Sequence, residues 1–382
     1  MALGVGIIGC GTISGIYMQN VSRFPGLKLV ACADVREAAA RSAAAKYSIS
    51  ARGIDVLLAS SDIDVIVNLT VPAAHFAVSH AALGAGKHVF SEKPLCTEAE
   101  RGRALVAEAE VRGVKLGCAP DTFLGAGGRL ARELIDSGKI GRVLSGTCFL
   151  MSHGMEHWHP DPEFFFKPGG GPILDMAPYY LAALVNLIGP VASVRACTST
   201  GFAERIVTAD GPRKGHAIKV ETPTTAMALV RFASGADIVF AMSWDVWKHG
   251  HSPIELYGTE GSLRVPDPNF FGGVVEHTER SGDWISIDSS GRPFGRPNWR
   301  SPVWPPTMPD RANYRCLGVA ELASVISHSA PHRSSGALAS HVLDAMHAIL
   351  RAGDQGGEVK VESYVERPAA FTDFDATALT RV

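Results

Sequence analysis

The sequence predicts an α/β chain of two domains, a doubly wound parallel sheet over residues 1–122 and a strand-rich second domain over 123–382. Three observations predict it. Short apolar runs alternate with helical patterns through the first third, a glycine-rich turn joins the first strand to the first helix, and beyond Gly138 the strands lengthen and follow one another with little helix between. With 382 residues and 46% hydrophobic content, there is enough chain to fill two cores.

Val5-Gly6-Ile7-Ile8 reads as a buried parallel strand, and Gly9-Cys10-Gly11-Thr12-Ile13-Ser14 leads from it into a helical pattern at Ile16. In such a turn Gly9 permits the tight bend and Gly11 lets backbone approach a pyrophosphate, with Thr12 and Ile13 at the helix N-terminus that favours its charge. Ser14 takes the place of a third glycine and is small enough for close helix–strand packing. Leu27 to Ala33 forms the second strand, and Asp34 closes it 25 positions after Gly9. That is near the spacing at which a carboxylate meets an adenosine ribose, and its charge would repel a 2′-phosphate, favouring NAD. Arg36 beside it leaves NADP open. Asp34 equally suits a helix N-cap, with Glu37 completing a capping box, and both roles can coexist.

The alternation continues through a strand at Val65 to Leu69, a helix from His75 to Leu83 and a strand at His88 to Phe90. Thr97 with Glu100 forms a further capping-box pattern, opening a helix closed by Arg112-Gly113, and Val114 to Cys118 is the last strand. Ligands of such sheets bind beyond the carboxyl ends of the strands. Thr70-Val71-Pro72, Glu92-Lys93-Pro94 and Ala119-Pro120-Asp121 all fall there. An ammonium at Lys93 can donate to a hydroxyl or a developing carbonyl oxygen, and would lower the pKa of a neighbouring tyrosine from its free value near ~10. The plain alternative is a surface Lys–Glu pair.

In the second domain Val143 to Met151 reads as a long strand, followed by His153-Gly154-Met155-Glu156-His157-Trp158-His159 and Phe164-Phe165-Phe166. Lys167-Pro168-Gly169-Gly170-Gly171-Pro172 then leads into a helix whose spacing places Asp175 and Tyr179 on one face. A carboxylate and a phenol so placed can hold a hydroxyl and take its proton while hydride leaves the same carbon. Core packing of Tyr179 and Tyr180 is the alternative. The histidines of 153 to 159 lack the cysteine or carboxylate that would complete a metal set, so no metal is expected. His153, nearest the strand end, is the expected substrate contact. Trp158, Trp244 and Trp247 suit stacking on a sugar's apolar face or, equally, core and subunit packing.

Further strands are expected at Thr224 to Phe232, Ala236 to Ser243, Ile254 to Tyr257 and Ser262 to Val265, as antiparallel hairpins. Pro293 to Pro309 reads as an extended surface loop, Asn313-Tyr314-Arg315 opens a late helix, and Leu338, Val342, Ala345 and Ile349 form the apolar stripe of the last one.

A formal net charge of -2 with 19% charged residues gives no basic field for nucleic acid or an anionic membrane. The seven cysteines are scattered without a C-x-x-C pair, and no signal-peptide pattern or spanning apolar run is read. A cytoplasmic protein with a small neutral ligand is expected.

Taken together, Gly9-Cys10-Gly11, Thr70-Val71-Pro72 with His75, Glu92-Lys93-Pro94, and Gly169-Gly170-Gly171 leading to Asp175 and Tyr179 resemble the glucose-fructose oxidoreductase / inositol dehydrogenase / rhizopine catabolism (Gfo/Idh/MocA) family over nearly the whole chain. The resemblance implies a Rossmann domain followed by an α+β domain on a large open, mostly antiparallel sheet. It also implies NAD(P)-dependent oxidation or reduction of sugars and cyclic polyols. By position, Lys93 would orient the substrate, Asp175 would be its acidic partner, and Tyr179 would stand where many members have the acid/base histidine. The resemblance adds Thr70, Pro72, His75, Glu92 and Asp121 to the cofactor contacts, and Asp121, Phe123, His153 and Trp158 to the substrate contacts. Cys118-Ala119-Pro120-Asp121-Thr122-Phe123-Leu124-Gly125 with His153 to Trp158 resembles a bacterial sugar-dehydrogenase branch that includes D-apiose dehydrogenase-like proteins. An open sheet must bury its free face, so a homodimer or homotetramer is expected. Two other functions fit the same family: glycoside cleavage through transient oxidation by retained NAD, and nucleotide sensing without catalysis.

Overall fold

The short apolar runs of the first third become six strands: β1 (Leu3–Ile8), β2 (Leu27–Ala33), β3 (Ser50–Ala51), β4 (Val65–Asn68), β5 (His88–Ser91) and β6 (Leu116–Cys118). They lie in the order β3-β2-β1-β4-β5-β6, every pair parallel. Helices α1 (Ser14–Val21), α2 (Glu37–Tyr47), α3 (Ile54–Ala59), α4 (Pro72–Gly84) and α5 (Ala99–Val111) connect them. Strand order reverses between β1 and β4, the switch point at which such sheets take ligands. Ile8, Ala31, Ile66, Val89, Leu105 and Leu116 belong to the buried cluster that holds helices to strands.

The structure is a computed structural model and describes residues 2–301, 303, 304 and 306–381. The first unit comprises Met1–Gly125, Tyr314–Leu343 and Pro368–Val382, and the second comprises Ala126–Asn313 and Asp344–Arg367. The first unit thus includes two segments from beyond residue 122 that were expected in the second domain.

The second unit opens with α6 (Ala126–Asp136), β7 (Val143–Met151), α7 (Gly171–Asp175) and α8 (Ala177–Ile188). Then come β8 (Val191–Ser199), β9 (Glu204–Ile206), β10 (Ala217–Lys219), β11 (Thr225–Phe232), β12 (Asp237–Ser243), β13 (Ile254–Gly258), β14 (Gly261–Val265), β15 (Val274–Glu279) and β16 (Ile285–Asp288). Helices α9 (Leu317–His328) and α10 (Gly336–Gln355), strand β17 (Glu358–Lys360) and helix α11 (Asp373–Ala378) follow, the division between units falling within α10. Nine strands form one sheet in the order β16-β15-β14-β13-β7-β12-β11-β8-β17. Only the β7–β12 pair within it is parallel. Strands β9 and β10 pair separately.

One face of this sheet packs on α6 and α7. On the other, the alternation of β11 exposes Met227 and Leu229, and the register carries the same face across Val239, Tyr257 and Val274. The border strands are short: β17 has three residues including Glu358 and Lys360, and β16 has four ending in Asp288.

Several local expectations give way to backbone physics. Asp175 and Tyr179 do not share one helix, because α7 ends at Asp175 and α8 begins at Ala177. Pro178 has no N–H for the Leu174 carbonyl and its ring crowds that oxygen, so the helix breaks at Met176. Neither expected capping box stands as drawn. Helix α2 has Arg36 at its N-cap, with Asp34 accepting from the Arg36 N–H instead, and α5 has Glu98 there. The late helix starts at Leu317, after Cys316 takes a left-handed φ of 93°. Within the Pro293 to Pro309 loop, Pro302 and Pro305 lie outside the described residues. No described helix is long and apolar enough to cross a membrane.

Candidate functional site

In the first unit the turn after β1 is built around Gly9, whose φ is 102° and where a Cβ would come within 2.5 Å of the Leu69 carbonyl oxygen. Only glycine meets both demands. A Cβ at Gly11 would meet no protein atom within 4 Å. Thr12 is exposed, Ile13 is half-buried at the N-cap of α1, and the Ser14 hydroxyl donates to the Gly11 carbonyl oxygen at 2.7 Å. Asp34 closes the far side: Oδ2 accepts from the Cys10 N–H at 2.8 Å and Oδ1 from the Arg36 N–H at 2.8 Å. The Arg36 Nε lies 3.6 Å from the same carboxylate. The turn therefore carries a fixed anion at the end of β2 and an open backbone surface at the start of α1. These residues fit a dinucleotide, the glycines at its pyrophosphate and Asp34 at a ribose.

The ends of β4 and β5 are tied by buried polar contacts. Asn68 donates from its amide to the His75 carbonyl oxygen and to the Ser79 hydroxyl, both at 3.0 Å, and accepts from the Thr70 hydroxyl at 2.7 Å. The buried His75 ring places Nδ1 2.6 Å from the Pro94 carbonyl oxygen and Nε2 3.0 Å from that of Thr70. Burial holds this imidazole below its ordinary pKa, against the pull of the two carbonyls. Each ring nitrogen faces a backbone carbonyl oxygen, and one of the two accepts from the single N–H of the neutral ring, so His75 ties the loops together. Pro72, half-buried, is the first residue of α4.

Glu92 is buried at the end of β5. Its Oε1 accepts from the Tyr17 hydroxyl of α1 at 2.9 Å and its Oε2 from the Lys93 N–H at 2.9 Å. Burial, reinforced by the Glu92 and Asp121 carboxyls, pushes the Tyr17 phenol well above its ordinary pKa and keeps it a donor. The half-buried Lys93 sits in this loop between a buried glutamate and the buried Pro94. Tyr17 was not among the expected site residues.

Asp121 is 1% exposed, with Oδ2 accepting from the Gly318 N–H at 2.8 Å and Oδ1 without a hydrogen-bond partner among the described residues. Burial raises its pKa from 3.8 to about 6, although the Gly318 N–H and the Arg315 charge pull it down. Phe123 is buried, at 3% exposure.

In the second unit Gly169, at positive φ, lies in the loop before α7, and Gly171, also at positive φ, opens that helix and packs against Thr222 and Pro223. Asp175 closes α7 half-buried, while Tyr179 lies buried in the first turn of α8. Tyr180 turns away, its hydroxyl donating to Asp267 at 3.1 Å. The His153 ring stacks on Trp247 at 3.3 Å between centroids and meets Phe202 edge-on at 6.2 Å. Trp247 is 81% exposed, Trp158 is exposed on the turn after β7, and Trp244 is core. No group of three or more His, Cys, Asp or Glu among the described residues is placed to hold a metal. An unexpected ion cluster sits behind His153: Arg205 of β9 pairs with Glu156 and Asp245, all three side chains largely buried.

Residues 3–119 match the family model described as "Oxidoreductase family, NAD-binding Rossmann fold", and residues 129–264 match that described as "GFO/IDH/MocA C-terminal domain". The chain is 29% identical over 267 residues, 68% of its length and 74% of the relative's, to the 1,5-anhydro-D-fructose reductase of Ensifer adhaerens. Over 290 residues, 73% of the chain and 85% of the relative, it is 26% identical to the inositol 2-dehydrogenase of Rhizobium meliloti. It is 27% identical over 333 residues, 79% of the chain and 84% of the relative, to the levoglucosan dehydrogenase of Pseudarthrobacter phenanthrenivorans. A solved structure titled as levoglucosan dehydrogenase in complex with NADH shares its fold, with a TM-score of 0.79 and 22% identity, over 95% of this chain and 100% of that one.

Proposed function

The chain belongs to the Gfo/Idh/MocA oxidoreductase family and carries its NAD-binding domain, and from that membership we propose that it transfers hydride between NAD and a hydroxyl-bearing carbon of a sugar or cyclic polyol. The observation that carries this reading is the buried Tyr17–Glu92 hydrogen bond of 2.9 Å. It fastens the helix beginning at the glycine turn to the loop that holds Lys93, so a dinucleotide on that turn and an ammonium at Lys93 are kept in fixed register within one unit. Relatives named for inositol and levoglucosan support the substrate class.

NAD, when bound, supplies the hydride acceptor. Gly9 and Gly11 would bring backbone to its pyrophosphate, and Asp34 would accept from its ribose. Lys93 is proposed to donate to the substrate oxygen, Asp175 to accept from a substrate hydroxyl, and Tyr179 to take the hydroxyl proton. His153 and Trp158 hold the remaining hydroxyls and the apolar face of the ring. The test is a panel of sugars and polyols followed by absorbance with NAD and NADP. Net NADH formation with at least one member is expected, whereas cleavage of a glycoside without accumulating NADH would replace this reading.

Asp34 sets the cofactor preference in this scheme. Asp34→Ala removes the repulsion toward a 2′-phosphate, so the ratio of kcat/KM for NAD over NADP falls about tenfold or more. An unchanged ratio would assign Asp34 to the turn alone.

The exposed sheet face of Met227, Leu229, Val239 and Tyr257 is proposed as the surface of a homodimer or homotetramer. Light scattering on the Met227→Glu/Leu229→Glu variant should show monomers that retain wild-type circular dichroism. A wild-type protein that is monomeric at working concentration would end this part of the proposal.

A further inference from the structure

Arg205 is 4% exposed and lies at the junction of three turns of the second unit. Its Nη1 donates to Glu156 Oε1 at 2.9 Å, in the turn after β7 that carries His153. Its Nη2 donates to the Trp244 carbonyl oxygen at 3.0 Å and to Asp245 Oδ1, in the turn after β12 that carries Trp247. Asp245 Oδ2 in turn accepts from the hydroxyls of Thr224 at 2.7 Å and Thr225 at 2.6 Å. These open β11 directly after Thr222 and Pro223, the residues against which Gly171 packs. The guanidinium also lies over the Phe202 ring at 4.6 Å, and Phe202 meets His153 edge-on.

We propose that Arg205 is the positioning residue of the substrate half, tying the turn after β7 to the turn after β12 so that the His153 ring stays stacked on Trp247 in the one orientation that meets the sugar. This rests on the reading of His153 as a substrate contact. Arg205 itself is enclosed by protein and acts through its neighbours. A planar fork with donors on several sides suits the task, since one carboxylate and one carbonyl on one turn and a second carboxylate on another are met at once. A lysine offers a point charge without that geometry.

Charge supports the same assignment. Burial, then the Arg205 charge, holds the His153 imidazole below its ordinary pKa, with His157 acting in the same direction and Glu156 and Asp245 opposing. Trp247 and Phe202 contribute apolar walls. Removing the Arg205 charge leaves two carboxylates facing His153, and the ring becomes easier to protonate.

The experiment compares wild type, Arg205→Met, Arg205→Lys and His153→Asn with NAD and the sugar that wild type oxidises best. Arg205→Met is expected to raise KM for the sugar about tenfold or more, the scale of one lost charged hydrogen bond, with KM for NAD little changed. The acid limb of kcat/KM against pH moves to higher pH in Arg205→Met and disappears in His153→Asn. Arg205→Lys, which keeps the charge and loses the fork, raises the sugar KM while leaving the acid limb in place. Histidine proton NMR, with His153 assigned from His153→Asn, gives a readout that needs no turnover: its titration midpoint rises in Arg205→Met. A wild-type sugar KM in either Arg205 variant, or an unmoved His153 midpoint in Arg205→Met, overturns the proposal. Should wild type oxidise no sugar, the functional reading falls by itself, and an unmoved or raised midpoint still decides whether Arg205 governs His153.

Discussion

Lys93→Ala is expected to lower kcat/KM for the sugar by about 10²- to 10⁴-fold, the range over which a positioned proton donor or acceptor contributes. That is roughly 3–5 kcal/mol of transition-state stabilisation. Binding of NAD, measured by fluorescence or calorimetry, should change little, because the glycine turn and Asp34 remain, and Glu92 keeps its bond to Tyr17. Tyr179→Phe should give a loss of the same order. Lys93 and Tyr179 are proposed to handle one proton, so the double variant should be scarcely worse than the poorer single one. Losses that multiply would show two independent steps. Wild-type turnover by Lys93→Ala would remove the proposed mechanism at its centre.

The second large effect is thermodynamic and belongs to Asp121. Its folded-state pKa of about 6 exceeds the ordinary 3.8, so between those values the folded protein holds a proton that the unfolded chain has released. Stability from this group is therefore complete below about pH 4, declines as pH rises, and stays at its lower level above about pH 6, a difference of roughly 3 kcal/mol. Asp121→Asn imitates the protonated form: the amide oxygen can still accept from the Gly318 N–H, and the amide nitrogen takes the place of the oxygen that lacks a partner. Urea midpoints at pH 4, 5, 6 and 7 should show the variant near wild type at pH 4 and more stable by roughly 3 kcal/mol at pH 7. A gap that does not vary with pH would mean that the Asp121 carboxyl titrates at its ordinary value.

What the sequence discloses follows from how local each interaction is. Leu27 to Ala33 and Val143 to Met151 were legible to the residue, because each is a mostly apolar stretch bounded by turn signals. The glycine turn and Asp34 were legible through their spacing. Pro178 was in plain view, and the broken helix at Met176 follows from it by rule; the i, i+4 spacing of Asp175 and Tyr179 masked the break. β8 begins apolar and ends in Arg195, Cys197 and Ser199, and β9 and β10 have three residues each, too few for a period to register. The bond from Asp121 to Gly318 spans 197 positions and that from Arg205 to Glu156 spans 49. No window along the chain contains both ends, so such pairs become visible only once the fold is built.

The short borders of the nine-stranded sheet have a consequence for the protein at high concentration. A row of unpaired backbone donors and acceptors at a border invites another chain to add on, strand after strand, into fibrils. Here β17 offers three residues with Glu358 and Lys360 among them, and β16 four that end in Asp288. Lateral growth therefore finds only a brief seam at each side, and apolar attraction is left to the wider sheet surface between them. Contacts made through such a surface about a twofold axis close on themselves and stop. The molecule should concentrate into discrete assemblies and stay clear in solution.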